Sequence, residues 1–220
     1  MEQHLPAYRP IDPDTWPRRE HFQYYRTAIP CGYSATVRMD VTEAVNFAKA
    51  HGLHFYPCFV YAAAKTVNEQ DEMRMMLTPE GAPGIWDVSL PCFTVFHSDD
   101  HTFSDLWTEY DPDFRTFYQG FQQVTDQYGD RHGVKGRPGQ PANFFCISCV
   151  PWLDYTGYST HTVGEPALFP IITFGKYTEE AGRLTLPATV TIAHAASDGY
   201  HTSQLFRRIQ ERLDDFGGMA

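Results

Sequence analysis

An α+β fold, a two-layer sandwich of a mixed β-sheet with helices, is what this sequence predicts. Three observations point to it. Strand-patterned and helix-patterned segments alternate irregularly, without the repeat of a βαβ chain. The 220 residues suit one large domain, taken as 1–220. An apolar share of 42% with 15% aromatics is enough to fill a sizeable core, which argues against disorder.

The elements follow in order. Residues 1–17 are polar and proline-rich and read as an arm or loop. Residues 34–41 alternate as a strand. Thr42 is placed to cap a short helix whose apolar side is Ala44, Val45, Phe47 and Ala48. Pro57 sits where a first helical turn tolerates proline. Behind it Phe59, Val60, Ala63, Ala64 and Val67 recur at helical spacing on a face apolar enough for a central packed helix. Strands fit 84–89, 92–97 and 102–108. Phe114, Phe117, Tyr118, Phe121, Val124 and Tyr128 mark the clearest amphipathic helix. The glycines and prolines of 129–142 make a loop. Strands then fit 144–150, 168–176 and 183–193, with Pro187 hinting at an edge or bulge. Leu205, Phe206, Ile209, Leu213 and Phe216 give a final helix.

Composition narrows the function. The net charge is −10, with no basic face of the kind a nucleic-acid binder carries. No apolar run is long enough to span a membrane, and the start lacks the apolar stretch of a signal peptide. Five irregularly spaced cysteines argue for reduced thiols in a cytoplasm. Cys146 and Cys149 form a C-x-x-C, but within an apolar run that reads as a strand. Positions three apart on a strand face opposite sides, which disfavours redox or metal use.

The segment HAASDG at 194–199 carries the most chemistry. It follows a strand and precedes a helix. A histidine at a strand end can project into a cleft, and Gly199 permits a sharp turn. Imidazole titrates near neutrality, so His194 is a natural base for an alcohol. The plain alternative is a structural histidine. Asp198, in the turn, organises the turn or pairs with a cation.

Along nearly its whole length the chain resembles the trimeric chloramphenicol acetyltransferases, those without hexapeptide repeats. The matching segments are RREHF (18–22), FYP (55–57), RM (74–75), IWD (85–87), FTVFH (93–97), FFCISCVPW (144–152), PIIT (170–173) and HAASDGYH (194–201). They stand in the family's order and at nearly its spacing. The resemblance implies a CoA-dependent acyltransferase fold, a homotrimer with active sites between subunits, and acetyl-CoA as cosubstrate. It further implies that His194 takes a proton from the acceptor hydroxyl, which attacks the acetyl thioester directly in a ternary complex. Its other ring nitrogen would donate to the residue's own carbonyl. Ser148 matches an oxyanion donor, though on its own it could be a strand residue bonding the backbone. Thr173 matches a threonine that holds a water. Asp198 matches the partner of an arginine, Arg18 by position, with Arg19 the competitor.

The same resemblance assigns the pockets. Acceptor positions are Tyr24, Tyr25, Ile29, Cys31 and Tyr33, then Thr94, Phe103 and Cys146, and finally Tyr158, Thr160 and Ile171. Any of these aromatics could equally be core. Tyr24 and Tyr33 stand where phenylalanine is common, Thr160 where leucine is, and Cys146 where asparagine often is. The acceptor pocket is therefore expected to be more polar than usual. Acetyl-CoA positions are His54, Tyr56, Pro151, Lys176 and Tyr177. His54 replaces a common lysine, and a neutral imidazole would hold a phosphate less well. No metal is expected, because the ten histidines lack the usual ligand spacings. Another CoA-dependent transacylase, acting on a different hydroxyl or thiol, is the alternative enzyme. A protein that only sequesters the antibiotic is the non-enzymatic one.

Overall fold

The computed structural model describes residues 5–160 and 164–220. Its elements are β1 (Tyr8–Pro10), α1 (Arg19–Gln23) running into a π-helical turn (Tyr24–Ala28), β2 (Gly32–Asp40), α2 (Thr42–Ala50), α3 (Phe55–Asn68), β3 (Met75–Leu77) and β4 (Pro83–Trp86). Then come β5 (Leu90–His97), β6 (Thr102–Trp107), α4 (Phe114–Tyr128), β7 (Phe144–Val150), β8 (Ile171–Gly175), β9 (Thr178–Glu180), β10 (Arg183–Ala193), α5 (Gly199–Asp214) and α6 (Phe216–Met219).

The main sheet runs β2-β10-β8-β7-β5-β6, with β9 paired to β10. It is mixed: β7 lies parallel to β5 and β8, while the other pairs are antiparallel. The expected α+β sandwich is therefore the observed one. A second sheet, β1-β4-β3, joins the strand expected at 84–89, seen as β4, to β1 in what was read as an arm and to β3, which was not expected. Its strands are too short to show alternation.

Period-two alternation divides the main sheet into two faces. Met39 of β2, Leu186, Val190 and Ile192 of β10, Ile172 and Phe174 of β8, and Phe145 and Ile147 of β7 belong to the core that α2, α3, α4 and α5 cover. α3 is buried almost all round, from Pro57 to Ala64 and again at Thr66 and Val67. α4 buries one stripe, Phe114, Phe117, Tyr118, Phe121 and Val124, and Asp113 caps its start by accepting from the Thr116 amide at 2.8 Å. The opposite sheet face carries Ser34, Thr36, Thr189, Thr191, Thr173 and Ser148. Tyr155 reaches over it, donating to Thr173 O at 2.7 Å.

Two local expectations change. Thr42 is the first residue of α2 rather than its cap; Asp40 Oδ1 takes both its amide and its hydroxyl. Pro187 is at neither an outer edge nor a bulge. It pairs in register with Arg38 of β2, and on its other side it falls between Thr185, paired with β9, and Ala188, paired with β8. A missing N–H is harmless in that gap. Among the described residues no helix is long and apolar enough to cross a membrane.

Candidate active site

β10 delivers His194 one residue past its end, and the His194 amide donates to Cys31 O at 2.9 Å. The ring stacks on Tyr25, centroids 3.8 Å apart and planes within 7°, and meets Tyr33 edge-on at 5.4 Å. Its Nδ1 is buried with no hydrogen-bond partner among the described residues. The bond to its own carbonyl that the resemblance implies is thus absent from the hydrogen bonds of the structure, and stacking on Tyr25 does the holding. No hydrogen bond to Nε2 is seen among the described residues. Tyr24 stands edge-on to Tyr25 at 5.2 Å, and Tyr24 and Ile29 are about half exposed.

Arg18, not Arg19, pairs with Asp198. Arg19 goes to Asp14 instead, at 3.1 Å. The Arg18 guanidinium also donates to Ala195 O at 3.4 Å, beside His194. Asp198 caps α5, accepting from the Tyr200 amide at 3.0 Å, and lies 2.9 Å from His201 Nδ1. Burial by itself would raise this carboxyl. The Arg18 hydrogen bond, the His201 ring and the Tyr200 amide outweigh it and hold Asp198 below the usual carboxylate range. His201 in turn lies 3.5 Å from Glu72. His201 and Glu72 went unassigned in the sequence; the Asp198–His201 spacing, one helical turn at a helix start, was the signal for the first.

Ser148 lies elsewhere. With Tyr56, Thr94, Phe103, Pro151 and Tyr158 it lines a cavity of about 730 Å³, walled also by Phe96 and Trp152. Its hydroxyl makes no hydrogen bond among the described residues. Tyr56 gives its hydroxyl to Thr94 O at 3.1 Å, and burial pushes that phenol well up. Thr173 is the register partner of Ser148, and Cys146 that of Ile171. Ile171, Thr160 and Tyr33 line a separate recess of about 270 Å³. Lys176 and Tyr177 lie on the exposed link between β8 and β9, with Tyr177 edge-on to Phe55 at 5.8 Å. The exposed His54 precedes α3, its amide taken by the Tyr118 hydroxyl at 2.9 Å.

The predicted catalytic residues therefore fall into two groups, Arg18, His194 and Asp198 in one and Ser148 and Thr173 in the other. Ser148 pairs with Thr173, Thr173 with Thr189, and His194 is five positions beyond. At strand spacings that is about 17 Å along the sheet and about 10 Å across it. One chain alone does not bring the imidazole to the serine.

The polar pocket expected from the tyrosines is only partly present. The Tyr33 hydroxyl is taken by Thr202 Oγ1 at 2.5 Å, with Ser197 Oγ at 3.4 Å. It serves the start of α5 rather than a ligand. Cys146 and Cys149 do face opposite sides of β7: Cys149 packs on the core, where burial pushes its thiol up to about 12. All five cysteines are free.

Residues 7–210 match the family model described as chloramphenicol acetyltransferase. A chloramphenicol acetyltransferase of Streptomyces acrimycini is 40% identical over 216 residues, 98% of both chains. One of Clostridium perfringens is 36% identical over 209 residues, 94% of this chain and 99% of that one. A solved structure of a chloramphenicol acetyltransferase superposes with a TM-score of 0.84 at 25% identity, covering 94% of this chain and all of the other.

Proposed function

The chain belongs to the chloramphenicol acetyltransferase family, and from that premise we propose that it is an acetyl-CoA-dependent O-acetyltransferase acting on the 3-hydroxyl of chloramphenicol, and so confers resistance to the antibiotic. The observation that carries this reading is His194, an imidazole with its backbone tied to Cys31 and its face on Tyr25, next to the Arg18–Asp198 pair.

His194 accepts the proton of the substrate hydroxyl as its oxygen forms a bond to the acetyl carbon. The proton then goes to the leaving sulfur. Ser148 donates to the oxygen that becomes negative, with Thr173 on the neighbouring strand holding a water there. Arg18 and Asp198 move no proton; they fix the turn that carries His194. The chemistry of the 730 Å³ cavity and of the β8–β9 link fits acetyl-CoA as the second substrate: Pro151 in the cavity wall and Tyr177 on the link offer flat surfaces for a base, and Lys176 on the link offers a cation for a phosphate.

The working unit is a homotrimer in which His194 of one subunit faces the Ser148 cavity of the next. Two observations support an assembly of copies: the separation just described, about 17 Å along the sheet and about 10 Å across it, and the exposed rim of Phe96, Phe103 and Trp152 around the cavity. The protein works in the cytoplasm, consistent with its free cysteines.

The test is thiol release from acetyl-CoA in the presence of chloramphenicol, and of its analogue lacking the 3-hydroxyl. Release with the first and none with the second is expected, and His194→Ala abolishes it while chloramphenicol still binds. Equal release with both compounds, or an active His194→Ala, refutes the proposal.

A further inference from the structure

Away from the active site, two imidazoles and a carboxylate meet where the β5–β6 turn touches the 129–142 loop. His97 ends β5, Asp99 lies in the turn and His132 in the loop. Each brings one ligating atom to within 4.8 Å of those of the other two. His132 Nε2 lies 3.4 Å from Asp99 Oδ2. Two ligands on a tetrahedral zinc, each bound at roughly 2.0–2.1 Å, are themselves about 3.4 Å apart. One edge of a coordination polyhedron is therefore already at its proper length.

The hydrogen bonds behind these groups sort the ring protons. Ser104 Oγ donates its one proton to Arg131 O at 2.6 Å. It therefore accepts from His97 Nε2, 2.8 Å away. That leaves His97 Nδ1 with a free lone pair. His132 Nδ1 donates to Asp100 Oδ2 at 2.8 Å, which leaves the lone pair on Nε2, on the side of Asp99. Metal-bound histidines are oriented in this way, the second nitrogen donating to an oxygen behind it. His97 is buried and fixed. His132 stacks on it at 4.2 Å and 19°, but is nearly half exposed. The exposed His132 ring must swing out of this stack for its lone pair and that of His97 to meet one ion.

We infer that His97, Asp99 and His132 form a binding site for a first-row divalent transition metal, zinc foremost. Two nitrogens and one carboxylate oxygen suit zinc, copper or nickel and not magnesium or calcium. The remaining positions go to water. An ion there ties the β5–β6 turn to the 129–142 loop. His101 and Phe103, on the same hairpin, line the Ser148 cavity, so the ion braces one of its walls. The sequence expectation of no metal rested on contiguous motifs, and this set draws on two separate segments.

The test is zinc chloride titrated into the full-length, chelator-treated protein in a non-coordinating buffer, read by calorimetry and by thermal melting. Saturable binding of one zinc per chain is expected, with Tm raised by roughly 5 °C at a hundredfold excess over Kd. Magnesium chloride is expected to do neither. His132→Ala and Asp99→Asn, both at exposed positions outside the active site, are expected to fold and to lose the binding and the Tm shift. No saturable binding by the parent protein, or the same stoichiometry and shift in both variants, overturns the inference.

Discussion

Replacing Asp198 by Asn removes a charge while leaving an acceptor oxygen for the Tyr200 amide, so it isolates the ion pair from the helix cap. The Arg18 side chain is 13% exposed and that of Asp198 32%. Breaking a fully buried pair by removing one partner costs about 3–5 kcal/mol, whereas exposed pairs contribute about 0–1. This pair lies between, and Arg18 Nε is already buried without a partner among the described residues, so a loss of about 2 kcal/mol is expected. Asp198→Ala also loses the cap, for about 1 kcal/mol more. Asp198 is held below the usual carboxylate range when folded. Its stabilisation is thus fully present above the unfolded value and lost as pH falls through the folded one. The gap between parent and Asp198→Asn should stay constant from about pH 7 to 5 and close below about pH 4. Guanidinium denaturation across that range, at one protein concentration, measures it. A gap that is absent at pH 7, or undiminished at pH 3, refutes the reasoning.

Ser148→Ala should lower kcat by roughly 10²–10³ with little change in either KM, because the donated hydrogen bond matters only as charge develops; a loss confined to KM would contradict this. Tyr33→Phe should cost about 1 kcal/mol of stability, through the bonds to Thr202 and Ser197. It should leave the chloramphenicol KM unchanged, and a large rise in that KM would put the hydroxyl in the pocket after all. Lys176→Ala should raise the KM for acetyl-CoA about tenfold, but have no effect with the 3′-dephospho analogue.

What the sequence revealed follows from range. α3 and α4 were legible because their apolar periods are local and long. His194 was legible because its turn, its glycine and the following helix are contiguous. The π-helical turn Tyr24–Ala28 and the β1-β4-β3 sheet have no periodic signature at their lengths. Arg18 and Arg19 are chemically identical neighbours, and only the packing of α1 against the β10–α5 turn chooses between them. The Tyr33 hydroxyl looked like pocket polarity because its partners, Thr202 and Ser197, are some 160 positions away.

The division of the site is itself a consequence of sheet register. β7 and β8 run parallel, and β10 returns antiparallel to them. Residues near the ends of β7 and β10 therefore fall at opposite ends of the sheet. Ser148 is close to the end of β7, and His194 is just past the end of β10. No side-chain rotation closes a gap of about 17 Å along the strands. A slip of one residue in β10 would turn His194 to the other face without shortening that gap. If both groups act on one substrate, the serine must come from another copy. A mixed assembly of His194→Ala and Ser148→Ala chains should then recover part of the activity that each variant alone lacks. Activity that stays at the level of the single variants, in assemblies shown to contain both chains, would mean that the two residues do not meet across an interface.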